Sequence, residues 1–102
     1  MPLFVVIGHD VEDSAAKRLE ARPAHVARLK TLHANGQLVL AGPCPQSHEG
    51  EGAAQMSGSV IVVDFSSQQA LEDWLKDEPY LHAGVYSHVD VKPFIQALPS
   101  PV

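Results

Sequence analysis

Six histidines stand among the 102 residues, and one of them, His25, is placed where an imidazole could do chemistry. It precedes Leu29 by four positions and Leu32 by seven, so on a helix it shares their stripe and faces a core. Glu78 holds a matching place, four residues after Trp74 and seven after Leu71. An imidazole meeting a carboxylate in a groove between helix ends and a sheet is oriented and made more basic. That arrangement suits a general acid or base near neutral pH. The same spacing also fits a buried histidine held by a structural hydrogen bond, with Glu78 at a solvated helix end.

Other groups carry weaker signals. His9 and Asp10 follow the first apolar run, at a strand end of the kind that often lines a pocket, although Asp10 equally suits a turn or cap. Arg22 could hold an anionic group by a bidentate contact, or lie on the surface. His33, His82, His88 and Asp90 raise the question of metal, but HExxH, CxxC and paired ligand spacings are absent, so no metal is expected. Cofactors are likewise not expected, since there is no G-x-S-x-G, Walker A or dinucleotide glycine fingerprint. Cys44 lies between two prolines with no nearby positive charge to favour its thiolate.

These groups need elements to position them. LFVVI at 3–7, closed by Gly8, reads as a strand. A long helix is predicted over 14–35, stopped at Asn35-Gly36, with Pro23 marking a break near Arg22 or a fresh helix start. QLVLAG at 37–42 reads as a second strand ended by Pro43 and Pro45. A mobile loop over 44–57 and a third strand at 58–65 follow. Ser66 and Gln69 have capping-box spacing ahead of a second helix, with the stripe Leu71, Trp74, Leu75 and a stop at Pro79. The last strand, 85–92, alternates, with Val85, Val89 and Val91 on one face and Tyr86, His88, Asp90 and Lys92 on the other. The order β-α-β-β-α-β gives an α+β fold, an antiparallel sheet with both helices on one face. Residues 1–94 form the domain and 95–102 a loose tail.

An antiparallel sheet with one wet face should alternate throughout, yet LFVVI, LVLA and VIVV are apolar on both sides. With no spare helix to cover the second face, the simplest cover is the same face of another copy in a two-fold homodimer.

Composition excludes several partners. Seven basic against twelve acidic side chains give a formal charge of −5 without a Lys/Arg cluster, so nucleic acid is not expected. The amino-terminal apolar run is six residues long and lacks a basic flank, which fits neither a signal peptide nor a membrane span. A lone cysteine suggests a reducing, cytoplasmic setting.

The runs R-P-A-H (Arg22 to His25), A-G-P (Ala41 to Pro43), G-S-V-I (Gly58 to Ile61), P-Y (Pro79, Tyr80), A-G-V-Y (Ala83 to Tyr86) and V-K-P-F (Val91 to Phe94) resemble the YciI family of YCII-related proteins. The resemblance extends from about residue 3 to residue 94. It implies a dimeric α+β barrel of two ferredoxin-like protomers, similar to muconolactone isomerase, and an active site of a helix histidine and an aspartate. The histidine maps onto His25. The aspartate position of the family's D-P-Y/F motif holds Glu78 here, with Asp77 one residue earlier, so either carboxylate could meet the imidazole. Asp10, Ser59 and Tyr80 fall where the family has polar groups near the cleft. Most members have no assigned reaction, and one branch is associated with dehydrochlorination of a chlorinated hydroxyhydroquinone.

The resulting expectation is a cofactor-independent lyase or isomerase for a small anionic or phenolic metabolite, with His25 as general base, Glu78 orienting it and Arg22 helping to place the substrate. The other reading is a non-catalytic dimer that binds a small ligand or a protein, in which the His/Glu pair is structural.

Overall fold

In the computed structural model, which describes residues 2–100, four strands and three helices follow one another as β1 (Leu3–Asp10), α1 (Ala15–Ala34), β2 (Leu38–Pro45), β3 (Met56–Asp64), α2 (Gln68–Leu75), α3 (Pro79–His82) and β4 (Tyr86–Phe94). The strands form one sheet in the order β2-β3-β1-β4, with every neighbouring pair antiparallel. This is the expected α+β layout with a ferredoxin-like strand order. Met1 and the last two residues of the expected tail, Pro101 and Val102, lie outside the described residues.

The period of two along each strand divides the sheet's faces. Phe4 and Val6 of β1 pair with Val63 and Ile61 of β3 and turn toward the helices. Leu32, Leu71 and Leu75 close over them, so the main core is the layer between helices and sheet. On the other face Leu3, Val5, Ile7 and Val60 are only half-buried, and Leu40 and Phe94 are exposed. The apolar second face read from the sequence is therefore present.

Several boundaries differ from expectation for local reasons. Helix α1 runs unbroken through Pro23. Leu19, whose carbonyl loses its helical partner there, lies on the solvent side of the helix at 77% exposure. Strand β2 continues across Pro43 and Pro45 because it is an edge strand, where a missing N–H on the outer side removes no ladder bond. The segment after it is not a structureless loop, since a 3-10 turn at Gly50–Ala54 is closed off by the bond from Gln46 N–H to the Gln55 carbonyl. The cap of α2 is Ser67, not Ser66. Its backbone is extended and its hydroxyl accepts from Ala70 N–H at 3.1 Å. Pro79 does not merely stop α2 but begins the separate short helix α3, where a ring at the first position displaces no hydrogen bond.

Tyr86 was expected beside His88 and Asp90. Instead the pairing shifts between His9↔His88 and Asp10↔Tyr86, so Ser87 is an extra residue in β4 and Tyr86 turns to the helix side. There it joins Tyr80 and Val85 in a second buried cluster. Gly8 makes room for it: a Cβ at that position would lie 2.5 Å from the Tyr86 ring.

Candidate active site

The inward stripe of α1 is polar in its first half. Ser14 and His25 are buried and Arg18 partly so, whereas Leu29 and Leu32 continue the stripe as core. A polar stripe on a buried face must find partners, because an unpaired buried charge costs several kcal/mol (about 3–5).

His25 finds Glu78. Its Nδ1 lies 2.9 and 3.0 Å from the two carboxylate oxygens, and both side chains are almost wholly buried. A carboxylate can only accept, so Nδ1–H donates, and in the neutral ring that leaves the lone pair on Nε2. Glu78 is held by its own position, as the residue that caps α3: its Oε2 accepts from Tyr80 N–H at 2.7 Å. It was expected as the last inward residue of the second helix; it meets His25 as the cap of a third. Asp77 is exposed, so the choice between the two carboxylates falls to Glu78. The extra methylene relative to aspartate is accommodated, and the carboxylate straddles Nδ1. Tyr80 lies flat on the imidazole, with ring centroids 3.8 Å apart and planes within 10°.

Arg18 finds Asp10. Its Nε and Nη2 donate to the two carboxylate oxygens at 2.6 and 2.8 Å, and Ser14 Oγ donates to the same group. The Asp10 side chain is 1% exposed. Nη2 also donates to the Gly58 carbonyl and to Ser59 Oγ, each at 2.9 Å. Burial works against the Arg18 charge, but the bidentate contact with Asp10 outweighs it and holds the guanidinium above its usual range. Burial raises the Tyr80 phenol, with Arg18 partly offsetting it. It pushes Tyr86 up to about 12. The Tyr86 hydroxyl is buried near Ser59 without a hydrogen bond among the described residues.

A cavity of about 390 Å³ opens between α1 and the β2 side of the sheet. Arg18, Arg22, Lys30, His25 and His33 supply its basic lining, Tyr80 adds a phenol, and Leu29, Ile61 and Ala41 lie among its apolar walls. Among the described residues no carboxylate lines it. Of the residues predicted from sequence, His25, Arg22, Ser59 and Tyr80 reach the cavity. Asp10 and Glu78 stand one step behind, each bonded to a lining cation or ring. His9, by contrast, parts from Asp10, because successive strand residues point to opposite faces. It bonds to Asp90 on the open side of the sheet.

Arg18 and Tyr86 are the residues that sequence reasoning missed. Arg18 stands seven positions before His25 on the same stripe, which is a readable signal. Tyr86 was hidden by the one-residue bulge.

Fold and site together define an α+β protein of ferredoxin-like topology with a buried His/Glu pair beside a cation-lined cavity. The YCII-related domain profile matches residues 2–95. The chain belongs to the YciI family. It is 47% identical over 93 residues to Protein YciI of Escherichia coli O6:H1, covering 90% of this chain and 95% of that one. An uncharacterized protein of Haemophilus influenzae is 41% identical over 92 residues, covering 89% and 94%. Among solved structures, 5-chloro-2-hydroxyhydroquinone dehydrochlorinase (TftG) of Burkholderia phenoliruptrix, in complex with 2,5-dihydroxybenzoquinone, superposes with a TM-score of 0.80 over 91% of this chain and 93% of that chain, at 24% identity. That likeness speaks to the fold.

Proposed function

We propose that the chain is a cofactor-independent lyase or isomerase acting on a small anionic or phenolic molecule, with His25 as the general base. The observation that carries this reading is the buried His25–Glu78 pair at the wall of a cavity whose lining charges are all cationic, in a chain of net charge −5. With Nδ1–H held by Glu78, Nε2 takes a proton from the bound molecule, and Glu78 stabilises the imidazolium that forms. Arg22, with Arg18 behind it, balances the negative charge that develops. In an elimination the released electron pair expels a leaving group such as chloride; in an isomerisation the proton returns from Nε2 to another carbon. The ligand named with TftG, 2,5-dihydroxybenzoquinone, is of the class proposed here.

The test is chloride release from 5-chloro-2-hydroxyhydroquinone, together with binding of 2,5-dihydroxybenzoquinone. Turnover should fall about 10²- to 10⁴-fold in His25→Ala while the fold is kept. Unchanged turnover in that variant would remove His25 from the mechanism.

A second reading has its own support, since Glu78 also caps α3 and Tyr80 packs on His25. In a purely binding protein His25→Ala would lower stability and leave ligand affinity as the only activity to measure. Both readings pair two copies through the open sheet face, where Leu3, Val5, Ile7, Val60, Leu40 and Phe94 need cover. Sedimentation should give a dimer for the native chain and a monomer for Leu40→Lys; a native monomer would contradict the pairing.

A further inference from the structure

On the open face, far along the chain from one another, β1 and β4 bring together His9, His88 and Asp90. The register places His9 directly opposite His88, and Asp90 two residues on shares their face. The two imidazoles stack with centroids 4.4 Å apart. One ligand atom from each of the three residues lies within 4.8 Å of the others. His9 Nε2 and Asp90 Oδ2 are already 2.8 Å apart, close to the edge of ~3.3 Å that a tetrahedron with bonds of ~2.0 Å would have.

We propose that this trio is a binding site for a first-row divalent transition ion, of the zinc class, with two imidazoles and one carboxylate as ligands. The supporting shell points the same way. Ser87 Oγ donates to the His9 carbonyl at 3.2 Å, so it must accept from His88 Nδ1–H at 2.8 Å. That leaves His88 Nε2 as the free lone pair, and imidazole ligands typically have their other nitrogen engaged in this manner. The bulge that turns Tyr86 into the core is thus also what places Ser87 beneath His88. In the single chain His9 and Asp90 are 42% and 53% exposed as side chains, at the end of β1 and on the edge strand β4, so an ion can enter and small rotations can close the trio; the trio lies on the face proposed to pair with a second copy, toward which the remaining ligand position turns. Three protein ligands leave a fourth position for water or a side chain of another molecule. The site lies on the face of the sheet away from the His25 cavity and is independent of the proposed reaction.

The experiment is a titration of Co²⁺ into the full, tag-free chain after chelator treatment, followed by visible absorption and by competition with Zn²⁺. One saturable equivalent per chain is expected. It should be lost in His9→Ala, His88→Ala and Asp90→Ala, and weakened about tenfold in Ser87→Ala. The exposed His48→Ala and His82→Ala should bind as the native chain does. In the single chain His48, His82, Ser87, His88 and Asp90 are exposed and His9 is half-buried, and circular dichroism confirms folding of each variant. Absence of a saturable equivalent, or one that survives His9→Ala and Asp90→Ala, would overturn the assignment.

Discussion

The layer between helices and sheet is filled in two different ways along α1. Toward its carboxyl end, Leu29 and Leu32 pack on Phe4, Val6, Ile61 and Val63, with Leu71 and Leu75 from α2. Toward its amino end, the same stripe carries Ser14, Arg18 and His25, matched by Asp10, Ser59 and Glu78. The first region gains stability from apolar area removed from water, which tolerates small errors of direction. The second depends on directed contacts, in which each buried charge needs its own partner. A protein built for stability alone would extend the leucines through both halves. Two buried ion pairs stand beside the cavity instead, and the proposed function rests on that difference.

The contrast can be broken from either side. The largest effect is expected for Arg18→Ala, which leaves Asp10 buried without its cation and should cost about 3–5 kcal/mol in urea unfolding. Next is Leu71→Ala in the dry half, at about 3 kcal/mol, with ligand binding in the cavity unchanged. A loss of stability in Arg18→Ala no greater than that of an exposed position would show that the polar half is not held by paired charges.

Gly8→Ala drives a methyl group into the Tyr86 ring and should cost about 1–3 kcal/mol. Tyr86 sharpens the picture through pH. Its folded-state pKa is raised by burial from 10.0 to about 12, so the fold favours the protonated phenol. The stabilisation is complete below pH 10 and is lost as pH rises through about 12, a span worth about 2–3 kcal/mol. Alkaline unfolding curves of Tyr86→Phe should lack that component, and identical curves for variant and native chain would contradict it. The smallest effect is expected for Ser67→Ala, about 1 kcal/mol, from the lost cap of α2.

What could be read from the sequence was what depends on near neighbours. The leucine spacings of α1 and α2 disclosed their inward faces, and hence that His25 points at the sheet. The runs of β-branched residues disclosed strands with two apolar faces. The meeting of His25 with Glu78 was legible too, although α3 was not, because a four-residue helix after a proline looks like the end of the preceding one. What escaped depends on register. Arg18 is tied to Gly58 and Ser59, forty and forty-one residues away, and the His9, His88, Asp90 trio exists only because of cross-strand pairing. The bulge at Ser87 reversed Tyr86, and no local pattern in β4 announces an extra residue.

In the proposed function Glu78 holds His25 with Nδ1 protonated and Nε2 free toward a small acidic ligand. Long-range ¹H–¹⁵N correlation NMR of the His25 ring, before and after addition of 2,5-dihydroxybenzoquinone, tests this directly. The expected result is the Nδ1–H tautomer in the free protein and an Nε2 resonance that shifts on saturation with ligand, with the tautomer preference lost in Glu78→Gln. An Nε2–H tautomer, or a ring whose signals ignore the ligand, would contradict it.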